Sequence, residues 1–380
     1  HYAERPFARL AAHKKFIADR LADALLLAAA GLAWHSVGSG SLSDLHAQLQ
    51  QQGASPALQG SAVLLVLAVA LRTALFPAHG WLIQVMEAPT PVSALLHAGV
   101  INLGGFVLIR QAPLLEAVPL ARGLLLALGL ITALLAGFVM LTRVSIKVRL
   151  AWSTVAQMGF MLVECALGLY TLALLHLLGH SLYKAHAFLA ASERVQASRR
   201  WQLLPSERSV GTRRADLLLA PPLALLIVLG VQSLAGVAAW PLWWSGVLAL
   251  AWAPLLWAPP GVGLIHACLR GVPLVLALSA GALLVHLLPA PLLGLDDAAP
   301  DGWRELFGGI TLVAMTTLYA GLVALQCWPT AVAGWRRWSY AGFYVDEAYT
   351  RLALRLGGGA WAPGATRSPR ASWPAIRAAR

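Results

Sequence analysis

The feature that most constrains this chain is repetition: apolar runs long enough to cross a bilayer recur along almost its whole length. A hydrocarbon core takes roughly 20 helical residues to span. Inside it every backbone amide must be bonded within its own segment, so such runs fold as helices. Ten candidate spans can be drawn, at residues 17–36, 61–82, 92–109, 123–142, 146–165, 170–191, 217–239, 242–257, 264–288 and 306–327. With 59% hydrophobic residues, 12% charged residues and a mean hydropathy of +0.70, the chain lies far from soluble domains, where about 25% of residues are charged. That excludes a water-soluble enzyme and a disordered chain. No run of short alternating segments, the mark of an outer-membrane barrel, is visible. The fold expected is an all-α, polytopic bundle of about ten transmembrane helices.

The formal charge of +12 does not point to nucleic acid, because the basic residues sit between apolar runs rather than on a polar folded surface. They sort by side of the membrane. If the segment from Arg5 to Lys15 is cytoplasmic, alternation puts 143–149, 193–216 and everything after 328 on the same side, and most Lys and Arg fall there. Arg110, Arg122 and Arg304 fall on the other side. This is the positive-inside asymmetry, and it predicts an even number of crossings with both termini cytoplasmic. The outer loop 38–60 is rich in Ser, Gln and Gly, whereas 289–305 carries Asp296, Asp297, Asp301 and Glu305. The arginines of 193–216 read either as a topology signal or as a contact for anionic lipid or an acidic partner.

Cys165, Cys268 and Cys327 lie singly in apolar stretches, so neither a disulfide framework nor a cysteine-bound metal is expected. Phosphate-binding and dinucleotide loops are lacking, as is haem or iron–sulfur spacing. No cofactor and no redox centre are expected in this chain. Trp240, Trp243, Trp244, Trp252 and Trp257 crowd one region and read as interfacial anchors.

Chemistry is sought instead where ionisable groups enter oil, since each costs about 2.5–3.5 kcal/mol on insertion scales. Arg72, His79, Glu87, His97, Lys147, Glu164, His176, His180, Lys184, His186, His266, Arg270 and His286 lie in or beside apolar spans. The densest set is His176, His180 and Lys184, at i, i+4 and i+8 of the sixth span. They make a polar stripe ~12 Å long on one helix face. Histidine titrates near neutrality and a desolvated lysine gives up its proton readily, so three such groups on one face read as a proton relay. The competing account has the histidines satisfied by helix–helix hydrogen bonds and Lys184 snorkelling. A metal at His176 and His180 lacks an evident third ligand. Only four basic residues are lysines, and two of them, Lys147 and Lys184, fall at or inside spans.

In the second span Arg72 precedes Pro77, His79 and Gly80, a break of the kind tolerated at membrane depth where it lines a cavity. At least one broken helix is therefore expected. His97 follows in the third span. Lys147 opens the fifth, where snorkelling competes with a relay role. Glu164, near the far end of that span, is a candidate entrance or exit carboxylate; Glu87, at the turn after the break, is another, or a local cap.

Three ordered motifs carry a resemblance. Residues 88–98, APTPVSALLHA, resemble the "GPTPVSALIHA" signature of the antiporter-like proton-translocating subunits of respiratory complex I, multisubunit sodium/proton antiporters and membrane hydrogenases. Residues 145–160 resemble that family's "DIKRVLAYSTMSQIGYM", and 176–189 its "HLMTHAFFKALLFL". Within the family, the AHAF after Lys184, the short divergent second half and the ending around Tyr340 to Leu352 resemble the chain-5-like membrane subunit of bacterial complexes that accumulate dissolved inorganic carbon.

The resemblance implies an antiporter-like fold in the bacterial inner membrane. It implies inward proton flow driving a large soluble zinc-containing, carbonic-anhydrase-like subunit on the cytoplasmic face to convert carbon dioxide to bicarbonate. The alternative it leaves is a proton-pumping chain-5-like subunit of a quinone oxidoreductase or related complex. It places the proton relay at His97, Lys147, His176, His180 and Lys184. Arg72 stands where the family has a lysine; a guanidinium stays charged, so it acts as a fixed charge tuning its neighbours.

Two departures follow. No exit lysine occurs in 217–239, and the glutamate that pairs with the Arg72 position is absent, because the chain starts where the family has already crossed the membrane about five times. A preceding segment is expected. The organisation expected is a translocation core over 1–195, a basic cytoplasmic loop over 196–216, a divergent transmembrane bundle over 217–330 and an amphipathic, basic cytoplasmic tail over 331–380.

Overall fold

The computed structural model describes residues 6–191, 193, 214–236, 240–257, 264–287 and 302–356. Each of the ten apolar runs contains helix among these residues. Five helical stretches, Thr90–Arg110, Pro119–Thr142, Asp216–Leu234, Cys268–His286 and Gly302–Cys327, are long and apolar enough to cross a membrane by length and composition. With no strand among the described residues, the chain is an all-α, multi-pass membrane protein. Large apolar side chains such as Leu27, Leu182, Leu218 and Val313 face outward, as lipid requires.

In chain order the first helices are α1 (Pro6–Val37), α2 (Leu42–Gln52), α3 (Pro56–Arg72), α4 (Gly80–Gln84), α5 (Thr90–Ala98), α6 (Leu103–Arg110) and α7 (Ala112–Glu116). They continue with α8 (Pro119–Thr142), α9 (Ile146–Ala166) and α10 (Tyr170–Leu189). The outer loop expected over 38–60 contains a helix, α2, whose Leu45 and Leu49 are buried. Polar composition hid it, because only two side chains carry its apolar face.

α8 and α9 form the central pair. Gly129 and Gly159 face each other: a Cβ built on Gly129 would stand 2.8 Å from the Gly159 carbonyl oxygen, and one on Gly159 2.7 Å from that of Gly129. Without a hydrophobic drive between helices in lipid, this close backbone approach is what holds them. Arg122, placed by sequence in an outer loop, is buried at the start of α8 and donates from Nε to the Ala166 carbonyl at 3.1 Å. It satisfies one of the carbonyls left open where α9 ends.

Two helical interruptions flank this pair. Between α3 and α4 the chain leaves helix over 73–79, with a cis Phe76–Pro77 bond. Thr132 of α8 accepts from the Phe76 amide at 3.1 Å while donating to its own Leu128 carbonyl at 2.7 Å. A freed backbone group is thereby paired inside the bundle, the condition for leaving helix there. Between α5 and α6 a short 3-10 turn covers Val100–Asn102. Asn102 Nδ2 donates to the Ala98 carbonyl at 2.8 Å and to Ser181 Oγ of α10 at 2.7 Å.

The second half comprises α11 (Arg214–Leu234), α12 (Leu242–Trp252), α13 (Leu264–His286) and α14 (Gly302–Cys327). Pro221 inside α11 cannot donate to the Leu217 carbonyl; the Tyr319 hydroxyl of α14 does so at 2.6 Å. Buried Gln232 donates to Ser245 at 3.1 Å, joining α11 to α12. The chain then turns into α15 (Ala333–Tyr340) and α16 (Val345–Leu356), whose apolar residues return at helical spacing with charges between. α16 lies against α1, with Ala353 buried and the Tyr349 hydroxyl donating to the Lys14 carbonyl at 2.8 Å.

Candidate functional site

The helix α10 is inside out relative to a soluble helix. Leu178 and Leu182 are 52% and 76% exposed, whereas His180 and Lys184 are 6% and 1% exposed. The i, i+4, i+8 stripe faces protein, which is where intramembrane charge is tolerated, and the apolar side faces outward. His186 falls off this face and is exposed.

The stripe has a carboxylate at one end. Glu164, buried in the last turn of α9, lies 2.8 Å from His176 Nδ1 through its Oε2. α9 and α10 are joined by a tight turn at 167–169, so the end of one helix meets the first turns of the next. From there the rings of His176 and His180 are 6.3 Å apart, centroid to centroid. Neither ring nitrogen of His180 has a hydrogen-bond partner in the protein. Buried polar atoms of this kind are met by ordered water.

At the other end Lys184 Nζ donates to the Leu150 carbonyl at 3.0 Å and to Ser153 Oγ, both on α9. His97, fully buried on α5 just before the Gly99 interruption, stacks on Phe188 at 4.7 Å. It lies close enough to Lys184 and His180 for their charges to interact. A cavity of about 470 Å³ opens beside His176, between Gln157, Phe160, Ala251 and Tyr319. His176 is thus the member of the row reachable from the second half of the chain.

The remaining candidates stand apart. Lys147 is half-buried, with Nζ 3.4 Å from the Ala88 carbonyl at the turn after α4. Arg72 pairs with Asp23 through NH2, and its NH1 is 3.9 Å from Asp19. The acid expected to be missing opposite Arg72 is therefore supplied from α1. Asp19 and Asp23, one turn apart inside an apolar run, were the signal. Lys15 and Arg20 complete that cluster, at 2.5 Å from Asp19 and 2.6 Å from Asp23. The side chains of Glu87 and His266 lie outside the described residues, as do those of Arg194, Arg199, Arg200, Arg208, Arg213 and Arg214 and the segment 288–301. Among the described residues no group of three or more His, Cys, Asp or Glu is placed to hold a metal.

Residues 1–259 match the family described as NADH:quinone oxidoreductase/Mrp antiporter, transmembrane. The chain belongs to that family. The probable inorganic carbon transporter subunit DabB of Hydrogenovibrio crunogenus is 43% identical over 93% of this chain and 68% of its own length. DabB2 of Halothiobacillus neapolitanus, also named a probable inorganic carbon transporter subunit, is 51% identical over 53% of this chain and 37% of its own length. NAD(P)H-quinone oxidoreductase chain 5 of Synechocystis sp. is 32% identical over 67% and 39%. Among solved structures, the Mrp complex from Dietzia sp. aligns over 90% of this chain and 44% of that one, at 23% identity and a TM-score of 0.48. Family membership thus joins this chain both to DabB-type subunits and to chain-5 subunits, most of which are far longer than the part it matches.

Proposed function

We propose that this chain is the proton-conducting membrane subunit of a complex for uptake of inorganic carbon, carbon dioxide or bicarbonate, in the bacterial inner membrane. Proton flow through it would drive a large soluble zinc-containing, carbonic-anhydrase-like subunit on the cytoplasmic face. The observation that carries conduction is the row of buried Glu164 on α9 and half-buried His176, buried His180 and buried Lys184 on the protein side of α10. The cargo rests on the similarity to subunits named for inorganic carbon transport.

Each member has one task. Glu164 exchanges a proton with His176 across their hydrogen bond. The gap between the two histidine rings is one that a bridging water closes. Lys184, held by Ser153 and the Leu150 carbonyl, stores the proton at the far end, and His97 takes it or repels it according to the charge on Lys184. Arg72, paired to Asp19 and Asp23, is a fixed charge. Lys147, apart from that row and beside the Ala88 carbonyl, is a further proton carrier in this reading. In this reading α3 and α4 are halves of one broken spanning helix, the chain crosses about ten times, and both termini are cytoplasmic. The core occupies 1–195, the basic loop 196–216, the divergent bundle 217–330 and the tail 331–380.

The test is Lys184→Arg, which keeps charge and removes proton release. Cells relying on the variant should accumulate inorganic carbon at least about tenfold more slowly, the scale of losing one proton carrier, with the complex present at normal levels. Unchanged accumulation would end this reading. The similarity to chain 5 of a quinone oxidoreductase favours a second one, a redox-driven proton pump. Purification of the intact complex separates the two: a large zinc protein supports carbon uptake, a set of quinone-oxidoreductase subunits supports the pump.

A further inference from the structure

The relay just described has a carboxylate at the Glu164 end and, among the described residues, none hydrogen-bonded to Lys184 at the other, where it meets the start of α9. About 18 Å of helix separates Trp152 from Glu164 at 1.5 Å per residue. Beside Trp152 lies a second cluster, contributed by three regions remote in sequence, α1, α16 and the segment from the break into α4. Lys14 of α1 is fully buried, and its Nζ is 2.7 Å from Asp346 Oδ1 of α16, a pair 332 residues apart. Gln84 Nε2 of α4 donates to the other carboxylate oxygen at 3.1 Å. The same carboxylate lies so close to Gly80 that any Cβ there would collide with it. A side chain at position 80 would displace Asp346, which accounts for glycine at the first residue after the break. His79, fully buried, stacks on Phe76 at 4.0 Å and lies 5.0 Å from the Trp152 ring. Neither of its ring nitrogens makes a well-formed hydrogen bond, although the Pro77 carbonyl is near.

The Lys14–Asp346 ion pair ties α16 to α1. It reaches the gap between α3 and α4, where the His79 imidazole lies against Trp152 of α9; the next residue of α9, Ser153, on a different face of that helix, accepts from Lys184. The geometry points to Asp346, with Lys14 and His79, as the port through which protons pass between the water at this end of the bundle and Lys184. This inference rests on the proton-conducting reading above. Asp346 is 30% exposed, so it meets water on one side and Lys14 on the other. The carboxylate takes a proton as Lys14 turns away, water carries it past His79, and Lys184 receives it. The other groups facing Asp346 are Gln84 and Tyr349. Burial and the nearby Asp346 and Asp19 carboxylates push the Tyr349 hydroxyl up to about 12, so it remains a donor to the Lys14 carbonyl and stays out of the transfer.

The test uses the complete complex in liposomes with a trapped pH dye and compares Asp346→Asn, Asp346→Glu, His79→Phe and Lys184→Ala. His79→Phe keeps the ring stacked on Phe76 while removing both nitrogens, so it reads the port even if Asp346→Asn loosens α16. Asp346→Asn and His79→Phe should each slow proton flux at least about tenfold, with Asp346→Glu recovering more than half. Flux within about twofold of wild type in both Asp346→Asn and His79→Phe, with Lys184→Ala inactive, overturns the port and leaves the relay standing. Normal flux in Lys184→Ala overturns the relay and the port together.

Discussion

Glu164 and His176 are hydrogen-bonded at 2.8 Å across the turn that joins α9 to α10, and the glutamate is almost wholly buried. A carboxylate in that position is tolerable because it has a partner, and removing one partner leaves the other exposed to the full cost of desolvation, about 1–3 kcal/mol or more for a charged group. His176→Ala should therefore lower thermal stability of the solubilised complex and slow proton flux, whereas Glu164→Gln with His176→Ala together should be milder in stability than His176→Ala alone. A thermal melt of the wild type and the two variants checks this.

Arg72 differs from the lysine that the family resemblance places there, and it is matched by two aspartates on α1. A fixed charge needs only its sign. Arg72→Lys should keep flux within about threefold of wild type, and Arg72→Gln should reduce it by about tenfold or more. Flux measured in the same liposomes decides between a tuning charge and a carrier, since a carrier would gain activity from lysine.

Thr132 is the one α8 side chain seen holding the Phe76 amide. Thr132→Val keeps shape and removes the hydroxyl, leaving a buried N–H unpaired at a cost of about 1–3 kcal/mol. The expected outcome is a lower melting temperature with the row on α10 intact; proton flux at low temperature should be nearly unchanged.

Gly159 presses on the Gly129 carbonyl and on Ala133 and Thr132 of α8. Gly159→Val forces the central pair apart, and overpacking of this kind costs typically 1–3 kcal/mol, occasionally more. Reduced yield of assembled complex on size exclusion is the readout, and Gly179→Ala, which meets nothing within 4 Å, is the control.

The apolar runs and the stripe on α10 were legible because both depend on local periodicity: a span is a length of oil-soluble helix, and i, i+4, i+8 share a face whatever the helix packs against. The direction that face takes was not legible, since Leu182 and Lys184 differ in exposure only once α5 and α9 are docked. The partners of Glu164, Arg72 and Lys14 were hidden for the same reason. Asp19 and Asp23 lie one turn apart inside an apolar span, a local signal that a cation docks against α1. Asp346 lies in the terminal stretch between Tyr340 and Leu352, and no local pattern places it 332 residues back along the chain, against Lys14. Arg122 was assigned by loop charge, whereas α8 begins at Pro119 and carries it into the bundle.

The central claim is that Lys184 changes its proton occupancy as protons cross the bundle. Proton flux into liposomes carrying the complete complex, measured for wild type and for Lys184→Arg at equal protein density, tests this most directly. Dye acidification that collapses in the arginine variant while the complex stays assembled is the result expected. Equal acidification by the two proteins would contradict it, because a guanidinium does not release its proton at any pH the complex works in.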